Sequence, residues 1–242
     1  MKKIFFMALA ISLAASAEAA DSVFRSVTGR TRLIELYSSE GCSSCPPADA
    51  WISSLRTSRR LWKDFVPVVF HVTYWDHLGW KDPLADEAFT SRQYAYAASW
   101  GNKSVYTPGF VLDGAEWRGW GNEPASSDEA AGVLEARVRG NRVRVTFTHP
   151  AAKGPYDVYG ARLGFGVSSH VTSGENAGLT LGHDFVTGGM TRAALKERKG
   201  SWTGEFPLPS APRLKTKRTG LAVWIVGRDG RPIQATGGML LP

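Results

Sequence analysis

Apolar and polar positions change their spacing along the chain, and each change predicts a different kind of element. Arg32 to Tyr37 and Phe65 to Val72 are nearly continuous apolar runs, Leu33-Ile34-Glu35-Leu36-Tyr37 and Val66-Pro67-Val68-Val69-Phe70 among them. Short runs of this kind predict strands buried on both faces. Between them, Ala48 to about Thr57 predicts a helix. Pro46 and Pro47 fall in its first turn, where a missing N–H costs least. From Glu87 to Trp100 the spacing turns helical: Phe89, Arg92, Gln93, Tyr96 and Trp100 recur at three- and four-residue steps. That aromatic stripe predicts a core-facing helix. Phe110 to Leu112, Asp113-Gly114 and Glu116 to Trp120 predict a hairpin. Ser126 or Ser127 is expected to cap a further short helix.

From Arg137 onward the period falls toward two. Arg139 to His149, Val158 to Val171, Leu179 to Thr187, Ser201 to Leu208 and Leu221 to Val226 predict strands separated by Gly, Pro and Asn, with a hairpin at Arg228 to Arg231. The expected fold class is therefore α/β followed by a small β-rich, sandwich-like C-terminal domain. The boundary is placed near Ala136, giving domains over 20–136 and 137–242.

The N-terminus alters the expected address. Lys2-Lys3, the apolar stretch Ile4 to Leu13 and Ala17-Glu18-Ala19 form a signal-peptide pattern over residues 1–19. The apolar stretch is too short for a permanent span. The mature chain is expected in the periplasm or secreted, with no membrane insertion after cleavage. A net charge of +7 over 242 residues is modest. Arg137, Arg139, Arg142 and Arg144 form the densest basic stretch, at the alternation of a solvated strand face. Nucleic acid is not an expected partner.

Cys42 and Cys45 are the only cysteines. They stand between a predicted strand and a predicted helix, in Gly41-Cys42-Ser43-Ser44-Cys45. If they open the helix, free backbone N–H groups and the helix dipole favour the thiolate of Cys42, the reactive form. Cys45, one turn on, is then placed to resolve a mixed disulfide. With no third thiol in the chain, exchange partners must be other molecules: periplasmic or secreted protein thiols and disulfides, and an unidentified electron donor or acceptor. No cofactor is expected beyond the redox-active pair itself. Two metal readings compete. Zinc wants four ligands, which only His71 and His77 would complete. Copper(I) suits soft thiolates, on Cys42, Cys45 and His71. A purely structural bridge closes too short a loop to stabilise much.

The order strand, CxxC, helix, strand, helix, Thr-Pro, hairpin resembles the thioredoxin superfamily. That resemblance implies a cis Pro108 facing the cysteines, with Thr107 presenting its backbone to a cysteine-containing peptide. The residues alone leave an ordinary trans proline open, since most X–Pro bonds are trans. GCSSCPPAD, HVTYWDHLGWKDP, SRQYAYA, VYTPGFVLDG and SGENAGLTLGHDFV resemble a family of secreted bacterial thioredoxin-like proteins labelled domain of unknown function 1223. The resemblance covers almost the whole mature chain and implies no substrate. Ser43-Ser44 replaces the Gly-Pro of thioredoxin, so the direction of electron flow is not inherited.

By the same resemblance, Glu35 lies one residue away from thioredoxin's buried acid. It is either a proton acceptor for Cys45 or a strand residue with a polar partner. His71 is a charge donor to the thiolate, a metal ligand or a core histidine. Tyr74, Trp75 and Trp80 form either a rim for a substrate peptide or packing for the aromatic helix. Asp76 and Asp82 are read as turn caps, and His149, His170 and His183 as structural or surface residues. The expected function is an exported thiol–disulfide oxidoreductase, with a metal chaperone or a non-catalytic binding module as rivals.

Overall fold

The computed structural model describes residues 21–149, 151 and 153–241; the expected signal peptide lies outside them. In chain order the elements are β1 (Ser22–Arg25), β2 (Arg32–Ser38), α1 (Pro46–Ser54), β3 (Phe65–His71), α2 (Glu87–Ser99), β4 (Gly109–Leu112), β5 (Ala115–Glu116), β6 (Val133–Arg139), β7 (Arg142–Thr148), β8 (Asp157–His170), β9 (Thr180–Ala194), β10 (Lys196–Arg198), β11 (Ser201–Pro207), β12 (Thr219–Val226) and β13 (Pro232–Met239). The two early apolar runs form the parallel pair β2–β3, with Leu33 opposite Val66 and Tyr37 opposite Phe70. Such runs suit strands covered on both faces.

These strands do not belong to a separate α/β unit. One eight-stranded mixed sheet runs β13-β12-β8-β9-β3-β2-β4-β5, and a second, antiparallel sheet runs β1-β6-β7-β11-β10. The expectation of a thioredoxin-like α/β fold followed by a small β-rich domain is thereby corrected. With two α-helices among thirteen strands, the described residues are mostly β. The physical reason lies at the outer edge of β3. A strand with apolar side chains on both faces needs a neighbour along its open edge, and β9 supplies one at Val69–Val186. Strands from the second half of the chain thus continue the first sheet.

β12 shows how the cores divide. Leu221, Val223 and Ile225 pack with Leu134, Val143, Val145, Phe147 and Phe206 of the second sheet. The alternating residues Ala222, Trp224 and Val226 pack on the other side with Leu33, Phe70, Phe89 and Phe185. The pleat's period of two sends one strand's side chains into both cores. Arg92 of α2 lies over the rings of both Tyr159 and Trp224, at 5.1 and 5.2 Å, which ties the helix to β8 and β12.

Two local expectations are also corrected. No helix follows Ser126, whose hydroxyl bonds Asp64 Oδ2 at 2.8 Å instead of capping. Glu129 gives its carbonyl to Arg30 N–H, 2.9 Å away, so the segment pairs outward. Arg139 to His149 is not one strand: Gly140, at a positive φ, turns β6 back into β7.

Candidate functional site

β2 and β3 run parallel, so the loops that follow them leave the same edge of the sheet. The two loops meet there. Glu40 N–H donates to Asp82 Oδ2 at 2.8 Å, and Trp80 Nε1 donates to Glu40 Oε2 at 2.9 Å. A side chain on Gly41 would stand 3.0 Å from Trp75 Cβ, so this close approach requires glycine.

Cys42 and Cys45 form a disulfide at this edge, with Cα atoms 5.4 Å apart. Cys45 is the N-cap of α1. The two prolines that follow remove two of the N–H groups expected to face a thiolate. The first α1 amides available, on Ala48 and Asp49, bond the Cys45 carbonyl. The donor nearest Cys42 Sγ is instead the Ser44 hydroxyl, at 3.3 Å. Both cysteines are 0% exposed, while Ser43 and Ser44 are exposed.

The loop between β8 and β9 lies over the turn. Glu175 accepts from Ser43 N–H at 2.9 Å. Buried Asn176 donates to the carbonyls of Glu40 and Cys42, at 2.8 and 3.0 Å. Ser173 donates to the Gly79 carbonyl at 2.6 Å. Val171 and Leu179 pair across the base of the loop. Segment 171–179 therefore holds both the cysteine turn and the 76–80 turn.

Beneath the turn lies a buried polar cluster. Ser38 donates to Asp49 at 2.7 Å. His71 Nδ1 is 2.7 Å from Asp82 Oδ2, and His183 Nε2 is 3.1 Å from Glu40 Oε1. The two imidazoles meet edge to face, with centroids 4.9 Å apart. Burial opposes charge on His71, but adjacent Asp82 overrides it and raises the imidazolium to about 9. Burial likewise opposes the Asp82 carboxylate, and His71 holds it below its ordinary range. Burial pushes the Asp49 carboxyl upward, with the histidines pulling the other way.

The Thr107–Pro108 peptide is cis. Half-buried Trp75 donates Nε1–H to Thr107 Oγ1 at 2.8 Å and also packs beside Gly41, so it links this peptide to the cysteine turn. Beside Pro108 runs an open groove of about 360 Å³, lined by Tyr106, Phe110, Trp117, Arg118 and Trp120. Trp51 of α1 packs against two of its lining residues, Trp117 and Trp120.

The structure does not bring together every residue singled out from the sequence. Glu35 faces α2, opposite Ser38 and Asp49 in the alternation of β2. Arg92 grips it through two bonds, of 2.7 and 2.9 Å, and Tyr37 and Tyr96 donate to it as well. Its oxygens are thus occupied away from Cys45, and the acid on the α1 side is Asp49. Tyr74, half-buried, bonds Gln93, while Trp80 is spent on Glu40. His77 is exposed and bonds the Tyr74 carbonyl, so it stands apart from His71. Sequence reasoning missed His183, Glu40 and Asp49. Their signal was thin: His183 sits more than a hundred residues from His71, and only the tertiary fold brings the two together.

A family model described as "Protein of unknown function (DUF1223)" matches residues 33–226. Two solved structures are similar. Protein AGR_C_4864 from Agrobacterium tumefaciens is 22% identical with a TM-score of 0.58, over 88% of this chain and 95% of that one. HBP35 of Porphyromonas gingivalis is 13% identical with a TM-score of 0.56, over 89% of this chain and 76% of that one. At these identities the likeness extends to the fold alone. No curated protein matches the chain.

Proposed function

The chain belongs to the DUF1223 family, whose function is unknown, and from its own site we propose that it is a thiol–disulfide oxidoreductase acting through Cys42 and Cys45. The observation that carries this reading is the Cys42–Cys45 disulfide at the start of α1, linked through Trp75 to the cis Thr107–Pro108 peptide. The kinship with thioredoxin-like proteins proposed here is confined to that local arrangement. A disulfide of this kind fits an oxidising compartment, and we place the protein in the periplasm or outside the cell.

In the reaction, a substrate thiolate attacks Cys42 Sγ. The new intermolecular S–S bond forms as the Cys42–Cys45 bond breaks, and Cys45 leaves as a thiolate at the start of α1. A second substrate thiol then displaces Cys42. The substrate dithiol becomes a disulfide, and two electrons and the thiol protons pass to the cysteine pair. An acceptor disulfide of another protein reoxidises it. The groove beside Pro108 offers aromatic surface for the substrate chain.

Because both sulfurs are enclosed, attack requires segment 171–179 to lift from Ser43 and Cys42. The same enclosure favours the second reading, a binding module with a fixed bridge. A two-cysteine peptide separates the two. Incubated with the oxidised protein, the reduced peptide is expected to lose two thiols for each Cys42–Cys45 bond reduced. Cys45→Ser is expected to accumulate a glutathione adduct on Cys42 when mixed with glutathione disulfide. A peptide that stays reduced, with no adduct on the folded variant, supports the fixed bridge.

A further inference from the structure

His71 and His183 are each anchored by a carboxylate through one nitrogen, and each leaves its other nitrogen buried without a hydrogen-bond partner. His71 Nδ1 meets Asp82 and His183 Nε2 meets Glu40, while His71 Nε2 and His183 Nδ1 are unpaired. One ring nitrogen of each histidine and a carboxylate oxygen of Asp49 lie within 4.8 Å of one another. His71 and His183 are 0% and 3% exposed. A buried polar atom without a partner is costly, and here two such atoms belong to histidines clustered with an acid.

We infer that Asp49, His71 and His183 form a divalent metal site of the zinc class, lying beneath the cysteine turn and using neither cysteine as a ligand.

Four features support the assignment. The donor set, two imidazoles and one carboxylate, is one that zinc takes in three-ligand sites with an open fourth position. The outer partners, Asp82 behind His71 and Glu40 behind His183, form the carboxylate–histidine pairs that orient metal-bound imidazoles. These partners are themselves fixed: Asp82 accepts backbone N–H groups of Glu40 and Leu84, and Glu40 accepts from Trp80. The charge balance points the same way. Glu40, Asp49 and Asp82 are buried acids, and the partners of all three are histidine, serine, tryptophan and backbone groups, with no lysine or arginine. A divalent cation adds positive charge among these three acids. Two atoms about 2.1 Å from one ion stand at most about 4.2 Å apart, so the three ligand atoms draw in slightly around it.

This site and the proposed exchange chemistry are separable. Zinc chloride alone is added to oxidised, metal-stripped protein, both native and during refolding, and binding is followed by calorimetry and by elemental analysis. One equivalent is expected, and Cys42→Ser/Cys45→Ser is expected to bind equally well. Asp49→Asn, His71→Gln and His183→Gln are expected to lose at least a hundredfold in affinity, and Asp82→Asn and Glu40→Gln about ten- to hundredfold. Cobalt(II) titration of the unaltered protein provides a readout independent of variant folding. Visible d–d bands without a thiolate charge-transfer band in the near ultraviolet are expected. Folded wild-type protein that takes up neither ion overturns the assignment. So does undiminished zinc binding in the folded histidine variants, or a thiolate band with cobalt in reduced protein that disappears with Cys42→Ser/Cys45→Ser.

Discussion

Glu35 and Asp49 are two buried acids on opposite sides of one sheet, and the sequence left Glu35 open between a proton acceptor for Cys45 and a strand residue with a polar partner. Strand periodicity placed Glu35 in β2 correctly, but its role turns on which helix its face meets. It meets α2, where Arg92, Tyr37 and Tyr96 saturate it. Removing its charge strands the guanidinium of Arg92, which is 11% exposed at the side chain. Glu35→Gln is therefore expected to cost about 3–5 kcal/mol in urea denaturation, with the rate of disulfide exchange in the folded variant unchanged. A slowed exchange at full stability would restore Glu35 to the site. Asn176 is the converse case, a loop residue with no catalytic chemistry of its own. Its amide is the strap across the carbonyls of Glu40 and Cys42. Asn176→Ala is expected to speed reduction of the Cys42–Cys45 bond by dithiothreitol about thirtyfold, since the two lost bonds are worth about 1 kcal/mol each. Alkylation followed by mass measurement reads this rate.

Among the elements, β2, α1, β3 and α2 were legible to within a residue or two, because each has a local signal: apolar runs for the strands, paired prolines for α1 and an aromatic stripe for α2. The segment after Pro124 was not legible, because its fate is decided by a distant partner. Arg60 donates to Asp64, Glu123, the Pro124 carbonyl and Ser126, and Ser126 donates to Asp64. This knot takes the hydroxyl that would have capped a helix. It also has a pH signature. The hydrogen bond from Arg60 holds the Asp64 carboxyl below its ordinary value despite some burial. A depressed carboxylate stabilises the folded state above its unfolded pKa, about 3.9, and that contribution is lost as pH falls through the lower folded value. The stability difference between the wild type and Asp64→Asn is thus expected to be constant from neutral pH to about pH 5 and to shrink below pH 4. A difference that persists undiminished at the lowest pH would contradict the ion-pair account.

At the scale of the whole molecule, the change of spacing near Ala136 read as a domain boundary, yet local patterning carries no record of which strands become neighbours. Leu221 to Val226 shows why. Its apolar run predicts a strand, but not that one face joins the first half of the chain and the other the second sheet. His183 of β9 meets His71 of β3 across the same long-range assembly. Residues 20–136 produced alone would lack β9, β8 and β12 beside β3. They are expected to stay unfolded by circular dichroism, and the full chain is expected to unfold in one transition. A folded fragment would support the division into domains over 20–136 and 137–242. The cysteine pair and its covering loop are likewise joined only by this assembly, so the question of exchange belongs to the folded protein entire. Equilibration of the native protein against glutathione buffers, with Cys42 and Cys45 read by alkylation and mass, tests that most directly. The account predicts reversible exchange without unfolding, at a potential in the oxidoreductase range of about −270 to −120 mV. A bond that stays closed until the protein unfolds, or that reduces only below about −300 mV, would contradict it.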